Sequence, residues 1–311
     1  DAALDTLEQL ATREPGDCPR ERARLDQLAR RALETVGHIH HQRAQQLRHR
    51  ADADRRAGAE AHREYARAID AYRRYTEAHP NHPSTYAIRY DLADALYWSG
   101  RWTEAAEAYA AVRDSRVDDR HFARAARRVV ESHARAAEAA RVTLPETPAA
   151  EPREVPEPRR RVARAREIYV RWVTPAEDEE RVRDAFAFNN AALLHRYGWT
   201  DAAMARFDQL FAARCAGPGA SELGRDAWWA MHAIATARED LDALDRLTRE
   251  VRARRCTFSP DGPPVATEGC EGELCEHVPR LEIAVRFRRL RDAADALDAT
   301  AEGPPDAERR E

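Results

Sequence analysis

Three helix-length stretches of this chain carry the same apolar spacing, and that repetition narrows the available folds more than any other feature. Ala68, Tyr72 and Tyr75 are followed 37 residues later by Ala105, Tyr109 and Val112, and Ala203, Phe207 and Leu210 repeat the four-then-three step. Ala243 and Leu247 give a weaker echo, 40 residues beyond Ala203 and Phe207. Steps of four and three place side chains on one face of an α-helix. The alanine lets a neighbouring helix come close while the large residue fills the next gap, as antiparallel helix pairs require. An aromatic or a turn precedes each stretch: Tyr65, Gly100 with Trp102, and Gly198 with Trp199. Such a period belongs to stacked supersecondary units.

The rest of the chain reads as helix with few interruptions. Residues 20–78 contain no proline and two glycines, Gly37 and Gly58, which predicts one very long helix or two nearly collinear ones. The prolines of HPNHP at 79–83 end it, because proline cannot continue a helix and restricts the residue before it. Helices are expected over 84–98, 102–114 and 119–141, with a tight turn at 99–101. Five prolines fall within 142–160, so an extended linker is expected there. Helices resume over 161–173, 177–196, 200–214, 221–237 and 240–254, then an irregular loop over 257–279 and a last helix over 280–300. No strand alternation is visible. The expected organisation is all-α, with an N-terminal helical region over 1–141, a Pro-rich linker over 142–160, a second helical region over 161–300 and a disordered tail over 301–311.

The segment RYDLADALYWSGRWTEAAEAYAAVRDS (89–115) resembles the tetratricopeptide repeat. Leu92 and Ala93 match the Leu–small pair of its first helix and Leu96 the next apolar position. Gly100 matches the turn, Trp102 the aromatic opening the second helix, and Ala105 with Tyr109 the packing pair. YARAIDAYRRYTEAHP (65–80) is similar to the second helix of a preceding repeat and ends at the family's proline, Pro80. Its own first helix looks degenerate, since Asp52, Arg55 and Arg56 stand at apolar positions. The 37-residue offset also exceeds the family's usual length of about 34. The likeness spans about 60–115, is looser over 184–254 and is absent between; an ordinary helical bundle shares the spacing. It implies an α-solenoid of antiparallel helix pairs whose concave face binds a peptide or protein segment. The long helices and Pro-rich break are similar to envelope-associated tetratricopeptide proteins of bacteria. A periplasmic or cell-envelope location is therefore expected, within a membrane-associated complex, with the cytoplasm as the alternative.

The helix over 84–98 carries two apolar stripes. Ile88, Leu92 and Leu96 form one, and Tyr86, Tyr90, Ala93 and Tyr97 the other, with Asp94 and Trp98 beside it. On one reading Tyr86, Tyr90, Asp94, Tyr97 and Trp98 face a groove and contact the partner, since aromatics bury much area at little entropic cost. On the other reading all are core. The family's best-known clamp holds a C-terminal carboxylate with basic and amide side chains. Tyr90, Asp94 and Tyr97 occupy the matching face here, so an aromatic or aliphatic ligand, accompanied by an arginine, fits better.

Composition removes several enzyme classes. The chain has no lysine; all 51 basic residues are arginine. Walker-type nucleotide hydrolysis and pyridoxal chemistry both require a lysine. The six serines include none within GxSxG, and HExxH, GxGxxG and EF-hand patterns do not occur. A net charge of −4 gives no bulk attraction to nucleic acid, and no apolar run is long enough to span a bilayer. The sequence begins at Asp1 rather than Met, so a preceding piece is expected to have been removed, a signal peptide being one of the readings.

Two clusters hold open rival readings. Residues 20–56 carry ten arginines and four histidines against five acids, a stretch that suits a solvated helix face, nucleic acid, anionic lipid or an acidic partner. Within it His38 and His41 share a helix face, but two ligands make no metal site; a solvated pair is expected. Of the five cysteines (Cys18, Cys215, Cys256, Cys270 and Cys275), Cys256, Cys270 and Cys275 with His277 could form a zinc site; the alternatives are a loop disulfide joining Cys256 or Cys215 to Cys270 or Cys275, and free thiols in a reducing compartment. Bonding of Cys215 directly to Cys256 needs Cα atoms within about 7 Å, closer than equivalent points of stacked units usually lie. The expected function is a non-enzymatic scaffold without cofactor or nucleic acid. The alternatives are a metal-binding or hydrolytic enzyme using the His and Cys clusters, and a nucleic-acid-associated protein using the Arg-rich helix.

Overall fold

The computed structural model describes residues 5–7, 9–10, 19–51, 54–115, 117–265, 267, 270 and 272–301. They are all-α: among the described residues every regular element is a helix, including one short 3-10 turn at Gly217–Gly219. The chain divides into two units, Asp1–Leu144 with Val155–Arg183, and Pro145–Glu154 with Asp184–Glu311.

The first unit stacks helices in chain order: α1 (Pro19–Arg48), α2 (Arg55–Ala78), α3 (Thr85–Trp98), α4 (Trp102–Asp114), α5 (Phe122–Ala139) and α6 (Glu157–Trp172). The long helix expected over 20–78 is a hairpin. His40 Nδ1 lies 2.6 Å from Glu64 Oε2, while His79 at the far end of α2 approaches Asp26 near the start of α1. Residues 49–54 hold no glycine or proline to announce this reversal. A local cap supplies it instead: Asp54 sits in an extended conformation and its carboxylate accepts the N–H of Arg56 at 2.8 Å, so a new helix starts there. Arg55 and Arg56 therefore open α2, and α1 is the missing first helix of that pair; Asp52 lies outside the described residues.

The repeated triplets are the packed seams. Ala68, Tyr72, Tyr75, Ala105 and Tyr109 have no exposed surface, and Val112 is 1% exposed. The turn after α3 closes by Gly100 at φ +80°, with Gly100 N–H donating to Tyr97 O and Arg101 N–H to Leu96 O. That six-to-one bond satisfies the last carbonyls of the helix and needs a left-handed residue.

The Pro-rich stretch does not separate the units. Helix α6 starts at Glu157, and Arg159 donates to Val142 O within the first unit. Residues 145–154 instead lie along the second unit, where α7 (Arg183–Arg196) ends. There Ala149 N–H donates to Arg196 O, Arg153 N–H to Tyr197 O, and Trp199 Nε1 to Arg153 O. A Cβ on Gly198, itself at φ +80°, would sit 2.3 Å from Glu151 O. Proline cannot form helix here, but the extended segment finds backbone partners. Helix α7 also begins later than expected, because Asp178 gathers the preceding loop by accepting from Tyr169 OH at 2.7 Å and from the N–H groups of Val182 and Arg183.

The second unit continues with α8 (Thr200–Arg214), α9 (Glu222–Ala237), α10 (Leu241–Ala253) and α11 (Glu273–Ala301). Ala203, Phe207 and Leu210 are buried as the spacing requires, beside Phe211, Trp228, Met231 and Leu247. Burial of each large side chain among these, such as Phe207, Leu210, Met231 or Leu247, contributes roughly 1.5–3 kcal/mol. Helix α11 starts earlier than position 280 and carries Pro279 inside it. The expected disordered tail falls, beyond residue 301, outside the described residues.

Candidate partner-binding groove

The first helices of three successive hairpins, α1, α3 and α5, line one cavity of about 510 Å³. Helical spacing brings its side chains to a common face: His38, His41, Gln42 and Gln45 from α1, Tyr90, Asp91 and Asp94 from α3, and Arg124, Arg127 and Arg128 from α5. Glu180, from the loop after α6, completes the wall.

Asp94 is the electrostatic centre. Tyr109 OH donates to it at 2.9 Å from the buried seam of α4, and His41 Nε2 stands 3.5 Å from its other oxygen. Burial alone would raise its carboxyl pKa, but the bonds from His41 and Tyr109, with the Arg128 charge, hold it below the usual carboxylate range. Beside it His38 Nε2 lies 3.0 Å from Asp91, and that bond outweighs burial to raise the imidazole above its ordinary value. Tyr90 stacks on His121 with ring centroids 4.3 Å apart; burial, then the Asp94 charge, pushes its phenol up. Arg128 pairs with Glu131 at 2.8 Å and lies over the Tyr97 ring, and Arg127 pairs with Glu180 and Glu131. The wall thus offers fixed carboxylates, imidazoles and guanidinium groups around an aromatic face. Such a surface can bind a polypeptide by charge and hydrogen bonds. Among its described lining residues there is no serine, threonine or cysteine to act as a nucleophile.

The five residues singled out on α3 separate. Tyr90 and Asp94 line the cavity. Tyr86, 4% exposed, and Tyr97, 8% exposed, are packed inside. Tyr86 stacks on His121 and accepts its N–H, while Tyr97 meets Trp98 edge-on. Trp98 is partly covered by the Arg48 guanidinium, 3.6 Å from its ring centre. Four-residue steps drift around a helix of 3.6 residues per turn, so one aromatic stripe serves both groove and core. Sequence reasoning missed the α5 arginines. Their spacing, Arg124, Arg127, Arg128 and then Glu131, was the available signal.

Of the expected solvated pair, His38 keeps a side chain 44% exposed and bonded to Asp91, whereas His41 is 6% exposed and meets Tyr65 and Tyr72 edge-on. The burial follows from the hairpin, which lays α2 across this face.

The described cysteines form two disulfides, one within the loop and one between Cys215 and Cys256 rather than from either of these to the loop pair. Cys215 bonds to Cys256, with Cα atoms 4.7 Å apart, and Cys270 to Cys275, 5.8 Å apart. The first pair becomes possible because the chain reverses at Arg255 (φ 51°) after α10, and the N–H groups of Thr257 and Phe258 both donate to Cys215 O. With Cys256, Cys270 and Cys275 in disulfides, the proposed zinc set loses its thiolates. His277 lies 3.1 Å from His232 and against Trp229, and among the described residues no group of three or more His, Cys, Asp or Glu side chains is placed to hold a metal. Likewise no described helix is long and apolar enough to cross a membrane.

Comparison with known proteins agrees with this architecture over part of the chain. Residues 59–129, from α2 into α5, match the family described as tetratricopeptide repeat. A search of curated proteins finds no match. Domains of this family typically bind proteins. The alanine–aromatic seams of α2 and α4 and the glycine-closed turn between α3 and α4 all fall within that match, so residues 59–129 form a tetratricopeptide-repeat region.

Proposed function

We propose that the chain is a non-enzymatic scaffold that holds a segment of a partner protein in the groove of α1, α3 and α5, within the assembly of a bacterial envelope complex. The cavity carries this reading, because its walls come from the first helices of successive hairpins and converge on one space. Tyr90 offers an aromatic anchor, and the guanidinium groups of Arg124, Arg127 and Arg128 lie beside it. A partner segment with an aromatic or aliphatic side chain next to an acidic group matches that wall better than a bare C-terminal carboxylate. The absence of lysine and of the common nucleophile patterns supports a binding role over catalysis. The two disulfides support an oxidising compartment such as the periplasm.

Purification of the tagged chain from its native host, with and without Tyr90→Ala and Arg124→Ala, tests the proposal. The expected result is a co-purifying protein that both variants lose while helicity stays unchanged. A partner retained equally by both variants would refute the groove as its binding site.

A further inference from the structure

Helix α11 turns one face to its own unit and leaves the other open. Leu274, Val278 and Val285 are buried, and Leu281 packs against the same side. On the opposite side Ile283, Phe287 and Leu290 are 69%, 68% and 71% exposed. From Arg286 to Asp298 every side chain is exposed. The steps of four and three from Ile283 through Phe287 and Leu290 continue to Ala294 and Leu297. That is the seam of a coiled coil, in which knobs repeat every 3.5 residues. An uncovered apolar stripe of this kind marks an interaction surface. A helical segment of only about 12–15 residues is also marginal in water without a packed face.

The charges indicate what covers it. Arg286, Arg288, Arg289 and Arg291 lie in the first half of the seam region, with Glu282 just before it, and Asp292, Asp295 and Asp298 in the second. Arg288 and Arg289 reach back to Glu239 and Asp242 of their own unit, and Arg286 and Arg291 pair along the helix with Glu282 and Asp292; these contacts steady the basic half without covering the stripe, and the second half keeps Asp295 and Asp298 as its acidic face. A second copy laid antiparallel sets each basic half against an acidic half. A parallel copy would set like charge on like.

We propose that two copies of this chain associate by antiparallel pairing of their α11 helices, with Leu290 against Leu290 at the centre and Ile283 and Phe287 of each copy against Leu297 and Ala294 of the other. The inference does not depend on the groove of the first unit. Sedimentation equilibrium of the full chain tests it: twice the 35.3 kDa chain mass is expected. Phe287→Glu and Leu290→Glu, both at exposed positions, are expected to return the single-chain mass with unchanged circular dichroism. Asp295→Arg combined with Asp298→Arg is expected to weaken the dimer about tenfold or more, through like-charge contact across the seam. A single-chain mass at every concentration, or a dimer indifferent to both apolar variants, overturns the proposal. A dissociation constant unchanged by the aspartate substitutions overturns the antiparallel pairing.

Discussion

Removal of the Cys215–Cys256 bond should cost the second unit about twice what removal of Cys270–Cys275 costs. The first closes a loop of 41 residues and the second a loop of 5. In the chain-entropy treatment the corresponding losses of denatured-state restriction are about 4 and about 2 kcal/mol. Burial acts in the same direction: Cys215 is 1% exposed and Cys256 not at all, and both belong to the core of Phe211, Trp228 and Leu247. The perturbations are the double variants Cys215→Ala with Cys256→Ala, and Cys270→Ala with Cys275→Ala. Urea unfolding followed by tryptophan fluorescence reads the outcome. At a slope of about 2 kcal/mol per molar urea, the midpoint of the second unit should fall by about 2 M for the first variant and about 1 M for the second. Equal shifts, or no shift for the buried pair, would refute the reasoning that loop length and burial set the stabilisation.

Gly198→Ala should destabilise the second unit by more than 1 kcal/mol, on the order of 2 kcal/mol, because φ is +80° and the new Cβ would meet Glu151 O at 2.3 Å; thermal unfolding checks this. The His38 imidazole, raised by its bond to Asp91, contributes stability that is fully present below the ordinary value of about 6.5 and lost as pH rises through its higher folded value. Nuclear magnetic resonance titration should show His38 above that ordinary value, and Asp91→Asn should bring it down; an unchanged titration contradicts the assigned cause.

Much of the fold was legible because helical seams and glycine turns leave local marks. Gly100 and Gly198 with their following tryptophans located the starts of α4 and α8, which run Trp102–Asp114 and Thr200–Arg214. The triplets Ala68, Tyr72, Tyr75 and Ala105, Tyr109, Val112 named the buried residues directly. What escaped had no local mark or depended on distant segments. The reversal between α1 and α2 rests on the cap at Asp54, a single aspartate in a stretch of good helix formers. The Cys215–Cys256 pairing depends on the backbone reversing after α10. In the groove, Tyr90 and Asp94 were visible as a face, whereas the role of His41 and Arg128 required knowing that α1 and α5 flank α3.

Hydrogen exchange on the purified complex of the chain with its protein partner tests the central claim most directly. Occupancy of the groove predicts that binding slows exchange along α1, α3 and α5, centred on the turns bearing His41, Tyr90 and Arg124, with α2, α4 and α6 little changed. Protection confined to α2, α4 and α6, or to the second unit, would contradict it.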